Sequence, residues 1–304
     1  RSASAELPED VKASVEKANA QWAKYGNGNA GVNLLGTSLA EGDASPYVRR
    51  IVDGFEQGGR YTHWNQDYRD GKLLYNLYTP NNEVCGCVAT AGAAIMQFFG
   101  ENSLSKKYED IGEVGSASED GCYLYGTPYA CKTLPGEIDW AANRLPNYSA
   151  NGSFATQLTD EQSQLIGRLT YNLGVLVGMQ WNTAQNGGSG APLALLVDAF
   201  KAYGFKSARH VSFSGDDVDT VQYRKTGFAQ NWAGAPVALD IGYKNEDGGH
   251  AVIACGYAKD GDDDEFCRVF MGWGGSEDAW YKFPDIREYN LVRGAVTMIG
   301  FETD

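Results

Sequence analysis

The chain has 304 residues, 43% hydrophobic and 21% charged, an ordinary globular composition with room for one large core or two small ones. Its formal net charge of −14 repels phosphate, which argues against nucleic acid or an anionic membrane surface as partner. No apolar run approaches the roughly 18 residues that cross a bilayer. The first six residues lack the apolar stretch of a signal peptide, so either a leader has been removed or none existed.

Residues 1–45 read as an appended extension, distinct from the domain expected over 46–304. Pro8 sits near the first turn of a helix expected to reach about Lys24, and a Gly/Ser/Ala/Glu stretch follows as far as Pro46. Within it, Gly26-Asn27-Gly28-Asn29-Ala30-Gly31 spells G-x-G-x-x-G. A dinucleotide fingerprint needs a strand before it, and here a helix precedes, so no nucleotide cofactor is inferred.

From Pro46 to about Gly204 the pattern is mostly helical. Helices are expected over 47–56 and 87–99. Another follows Thr159, whose spacing to Gln162 is that of a capping box, with Leu165, Leu169, Leu173 and Leu176 as its apolar stripe. A fourth is expected over 192–203, between Pro192 and Gly204. Residues 103–158, rich in Gly, Ser and Tyr, read as irregular surface loop. Strands are expected over 236–241, 250–257, 265–272, 279–283 and 295–301. Helices first and an antiparallel sheet afterwards make the fold class α+β. The acidic tip Asp262-Asp263-Asp264 lacks the ligand spacing of a calcium loop and reads as a solvated turn.

Chemistry centres on Cys87. Gly86 supplies a turn, and small residues giving way to bulky apolar ones begin a helix at Cys87. A thiol there meets unpaired backbone N–H groups and the positive end of the helix dipole, which favour the nucleophilic thiolate. The competing assignment is a packed structural cysteine. A cysteine nucleophile needs a base, and the chain has three histidines. His210 has no polar or Gly neighbourhood, and His63 lies in Tyr61-Thr62-His63-Trp64-Asn65-Gln66. His250 follows Asp247-Gly248-Gly249 and opens a strand, where close approach and a rigid support coincide, so His250 is the candidate base. Of the other cysteines, Cys122 and Cys131 bracket a short loop that a disulfide could close. Folding the later hairpin about Gly261 sets Cys255 opposite Cys267, a second candidate bridge.

Four motifs together resemble the streptopain family of bacterial cysteine peptidases, over roughly residues 46–304. They are Gly86-Cys87-Val88-Ala89-Thr90-Ala91, Gly248-Gly249-His250-Ala251, Trp64-Asn65-Gln66 followed by Tyr75-Asn76-Leu77-Tyr78-Thr79-Pro80, and Gly272-Trp273-Gly274-Gly275. The resemblance implies a papain-like fold of two lobes, a helical lobe carrying the nucleophile and an antiparallel sheet lobe carrying the histidine. It implies a secreted or periplasmic zymogen that hydrolyses protein or peptide substrates without a cofactor or metal, residues 1–45 being all or part of a propeptide. Cys87 is then the nucleophile, His250 its partner, and Gln66 the side-chain donor to the oxyanion. Trp273, Gly249, Gly188 and Ser189 are expected to line the substrate cleft, with the 186–191 loop as a wall.

Two departures from the family pattern stand out. The block that usually reads Asn-Trp-Gly-Trp-Gly-Gly is here Phe270-Met271-Gly272-Trp273-Gly274-Gly275. Phe270 thus replaces the Asn that orients the histidine, and the expected register puts Phe270 opposite Val252, on the face of His250. Asp67 to Leu74 also lengthen the segment after Gln66. Two other functions stay open: a silent homologue that binds peptides, and a Cys-His acyltransferase of transglutaminase type. A metal set of Cys85, Cys87, Cys122 and Cys131 lacks the Cys-x₂₋₄-Cys pair of closed zinc sites.

Overall fold

The computed structural model describes residues 48–56, 58–102, 110–147, 154–213, 220–259 and 264–297. The 1–45 extension, the 260–263 part of the acidic tip and residues 298–301 of the last expected strand lie outside the described residues.

Small side chains after Cys87 let one helix pass through the middle of the protein. This is α1 (Cys87–Asn102), with every residue from Val88 to Gly100 buried. Its C-terminal half carries Ile95, Met96, Phe98 and Phe99, each contributing roughly 1.5–3 kcal/mol by leaving water. α2 (Asp160–Leu176) starts at the expected capping box: Thr159 Oγ1 accepts the Gln162 N–H at 3.1 Å, and Gln162 Oε1 accepts the Thr159 N–H at 2.8 Å. Its leucine stripe is buried. α3 (Leu196–Ala202) follows a 3₁₀ turn, Leu193–Leu195, with Pro192 at the cap and Gly204 beyond at φ +93°.

Strands run in chain order as β1 (Val48–Ile51), β2 (Tyr68–Arg69), β3 (Lys72–Leu73), β4 (Cys122–Leu124), β5 (Thr127–Tyr129), β6 (Gln180–Trp181) and β7 (Arg209–Ser212). They continue as β8 (Val237–Gly242), β9 (Gly249–Lys259), β10 (Glu265–Phe270), β11 (Ala279–Lys282) and β12 (Leu291–Thr297). The main sheet is antiparallel in the order β11-β10-β9-β8-β12-β7, with β1 also on β9. One face, through Ala238, Ala251, Ile253, Phe270 and Val296, closes a core with the helices. The other, through Leu239, Val252, Ala254, Tyr257 and Met271, is covered by the helical run 220–232, which delivers Phe228 and Trp232.

Three expectations need correction. Residues 48–51 of the expected 47–56 helix form strand β1. β8 pairs with β9 only as far as Ala254, and β1 takes the open edge from Gly256 onward. An unpaired sheet edge decided the conformation of a segment whose local preference is weak. The irregular stretch contains the β4–β5 hairpin, closed by a Cys122–Cys131 disulfide and joined to β6. Segment 67–74 is a second hairpin, β2–β3, turning at Asp70-Gly71.

The third concerns β9 and β10. Cys267 pairs with Tyr257 and Arg268 with Gly256, but Val269 pairs with Ala254, so Cys255 is the extra residue of a β-bulge. One extra residue sends every later side chain to the opposite face. Cys255 therefore lies in the helix-facing core and Cys267 in the other, and both are free thiols rather than a bridge. By the same shift Phe270 pairs with Ile253, not Val252. It points away from His250 and packs edge-on against Phe55, ring centroids 5.9 Å apart.

Candidate active site

Cys87 is the first residue of α1, behind Gly86 at φ +92°. A side chain on Gly86 would lie 2.8 Å from Met179 Sδ and 3.0 Å from the Ser189 carbonyl, so this tight approach requires glycine. Thr90, one turn on, donates its N–H to the Gly86 carbonyl at 3.0 Å and holds the helix start. The neighbouring strap is tied in as well: the Cys85 N–H donates to the Gln66 carbonyl at 2.8 Å, and the Gly274 N–H to the Trp64 carbonyl at 2.8 Å. These two bonds bring Gln66, Cys87 and the Trp273 loop to the rim of one groove.

That groove encloses about 800 Å³ between the lobes. Cys87, Gln66, His250, Gly249, Trp273, Gly188 and Ser189 all line it, so the structure gathers every residue expected from the sequence. Ser189 is buried, and its hydroxyl is used within the loop, accepting the Asn182 N–H at 2.9 Å and donating to the Asn182 carbonyl at 3.3 Å. It builds the wall rather than offering itself to a ligand. Asp67 also lines the groove, and burial raises its carboxyl above the ordinary value.

The Cys87 sulfur accepts the Ala251 N–H at 3.4 Å, which sets it against the residue next to His250. Burial pushes the Cys87 thiol up, opposed by the N–H groups of Ala251, Val88 and Cys87 itself. Two residues away, Cys85 is fully buried beside the Thr90 hydroxyl at 3.2 Å, and its thiol is pushed up to about 12. Cys87 alone of the two opens on the groove.

His250 is buried, with its ring stacked on Trp273 at 4.7 Å and flanked by Tyr289 at 6.2 Å. Burial lowers its pKa to about 4, against the Met271 bond and the Glu288 charge, so the ring is neutral near pH 7. His250 Nε2 lies 2.7 Å from the Met271 carbonyl oxygen. A carbonyl only accepts, so Nε2 carries the proton and Nδ1 the free lone pair. A main-chain oxygen therefore holds the imidazole where the family pattern has a side-chain amide and this sequence has Phe270, which has no part in it. Among the described residues no hydrogen bond joins the Cys87 thiol to the His250 ring.

Sequence reasoning missed Tyr289, Asp240 and Arg293, which line the same groove. Asp240 lies across the ladder from Ala251, and Arg293 binds its Oδ1 through Nη2 at 2.6 Å and Nε at 3.1 Å. No local motif marks either residue; only strand register brings them together. His210 and His63 lie away from the groove lining, and burial lowers both. No cluster of three or more metal-ligating side chains occurs among the described residues. Cys122 and Cys131 are spent on each other.

Residues 64–281 match the model of the peptidase C10 family. Comparison with the curated proteins finds no match. Among solved structures, the chain is similar to active wild-type interpain A cysteine protease of Prevotella intermedia, at 23% identity and TM-score 0.59, covering 84% of this chain and 95% of that one. It is also similar to a mutant prointerpain A fragment of the same organism, at 21% identity and TM-score 0.54, covering 98% of this chain and 86% of that one. These likenesses show the fold: mixed helix and sheet, papain-like, in two lobes. The chain belongs to the peptidase C10 family, the streptopain family of cysteine peptidases.

Proposed function

We propose that this cysteine peptidase is an endopeptidase that works through Cys87 and His250. The observation that carries the reading is the 3.4 Å contact of the Cys87 sulfur with the Ala251 N–H, beside His250 and on a groove shared with Gln66. His250 Nδ1, unprotonated while Nε2–H is held by Met271, takes the thiol proton as the side chains meet. The thiolate then attacks the scissile carbonyl carbon. The resulting oxyanion is stabilised by the Cys87 N–H and the Gln66 amide, each such donor contributing about 10²–10³ in rate. As the tetrahedral species collapses, the C–N bond breaks and the imidazolium hands its proton to the departing amine. Water, deprotonated by Nδ1, cleaves the thioester and restores the thiol.

With Cys87 half-buried and His250 buried, desolvation raises the thiol and lowers the imidazole, which favours a neutral pair at rest. We further read the enzyme as secreted or periplasmic, and residues 1–45 as all or part of its propeptide. Support for this comes from the match to a proenzyme fragment, which covers 98% of this chain against 84% for the active enzyme.

The test is incubation with unfolded casein under reducing conditions, beside Cys87→Ala and His250→Ala. Time-dependent cleavage by the wild type and at least a 10³-fold loss in both variants is the expected result. Binding of casein without cleavage would make the domain a silent peptide binder. Isopeptide products, given a glutaminyl donor and a primary amine, would make it an acyltransferase.

A further inference from the structure

The carbonyl that holds His250 sits on an unusual support. Met271 is followed by Gly272 at φ +72°, and Gly274 and Gly275 lie at φ +67° and +93°. A loop of this composition has little stiffness of its own. Its place must come from bonds. One is the Gly274 N–H to Trp64 already described. Another comes from Asp278, at the end of the loop where β11 begins: its Oδ1 accepts the Met271 N–H at 2.8 Å. Asp278 is itself pinned, since Arg268 Nη1 donates to the Asp278 carbonyl at 3.1 Å. Met271 is thus gripped at its N–H by a carboxylate while its carbonyl grips the imidazole at 2.7 Å.

We propose that Asp278 is a positioning residue of this site, fixing the main chain of Met271 and, through it, the ring of His250. The proposal rests on the reading of His250 as the catalytic base. Asp278 also makes the grip responsive to pH. Burial raises its carboxyl to about 7, against the Met271 N–H and the positive charge of Arg268. The other titratable groups that interact with it are the Cys255 thiol on β9 and the Tyr281 hydroxyl on β11. Above about 7 the acceptor is a charged carboxylate, whose hydrogen bond is roughly twice as strong as a neutral one. Below about 7 the grip on Met271 slackens. His250 stays neutral throughout this interval, because its own pKa is about 4.

Asp278→Asn and Asp278→Ala separate this role from simple loop packing. Asn keeps the shape and an acceptor oxygen but cannot ionise; Ala removes the acceptor. The His250 Nε2–H resonance is followed by ¹⁵N NMR from pH 8 to 6, with the three histidines assigned by single Gln replacements. The kcat and KM on a peptide substrate are measured alongside. In the wild type the resonance is expected to move with an apparent pKa near 7, kcat falling several-fold over the same interval. In Asp278→Asn both lose that dependence. Asp278→Ala is expected to lower kcat about 10-fold at pH 8 with KM within twofold, as for misplacement of a reacting group. An Asn variant with the wild-type pH response, or an Ala variant with wild-type resonance and kcat, overturns the proposal. If no protein turns over substrate yet the resonance follows Asp278, the peptidase reading fails and the positioning link stands.

Discussion

Asp240 and Arg293 form an ion pair on the groove that holds the reactive sulfur. Burial is the main push on the Cys87 thiol, and the Asp240 charge adds a smaller one in the same direction. Arg293 pairs with Asp240 through Nη2 at 2.6 Å, and also donates Nη1 to the Gly248 carbonyl at 3.2 Å, bracing the turn that leads into His250. Both side chains are partly solvated, at 30% and 39% exposure, so their effect on the thiol is modest. Asp240→Asn should therefore speed alkylation of Cys87 by iodoacetamide at pH 7 about two- to fivefold, and Arg293→Gln should slow it by a similar factor. Mass-spectrometric mapping of the modified cysteine reads this directly, with the buried Cys85 unmodified in the folded protein. The reverse ordering would mean that this ion pair does not govern the thiol.

At the scale of elements, the bulge at Cys255 decides most. It sits where β8 leaves the edge of β9 and β1 takes over, with the Val52 N–H donating to the Cys255 carbonyl at 2.8 Å. A hairpin folded without it would carry Phe270 on the His250 face, where its replacement of an amide would be damaging. With it, Phe270 is 2% exposed in the helix-facing core. Restoring Asn at this position should therefore not raise kcat/KM. Phe270→Asn should instead cost about 3 kcal/mol or more, from the lost ring packing and an amide buried without partners. Thermal melting would then fall by on the order of 10 °C. A gain in activity with an unchanged melting temperature would show that the residue at 270 reaches the histidine after all.

For the whole molecule, the buried histidine predicts acid lability. His250 has a folded pKa of about 4 against 6.5 when exposed, so between these values the unfolded chain binds the extra proton. The stability it supports is present above about 6.5 and is lost as pH falls through about 4. His63 acts in the same sense, while the raised carboxyls of Asp278 and Glu101 act in the opposite one. The contribution of His250 is isolated by urea unfolding of the wild type and His250→Gln at pH 7 and pH 4.5. The wild type should lose about 2 kcal/mol more than the variant on acidification. An equal loss in both proteins would show that His250 is not held neutral by the fold.

The sequence by itself determined the helix that starts at Cys87, the capped helix after Thr159, the five strands that follow Gly234, and seven of the residues that line the groove. Those features rest on local signals: a glycine turn before small residues, a capping box, alternation between turns, and four short motifs in order. Tertiary structure alone decided that residues 48–51 pair as a strand, that Cys255 and Cys267 lie on opposite faces, and that Asp240 and Arg293 meet beside Cys87. It also decided that a backbone carbonyl, not the side chain of residue 270, holds His250. Each depends on strand register, and register is fixed by which edges are open and which face is buried. A single inserted residue changes it without leaving any mark in composition or spacing.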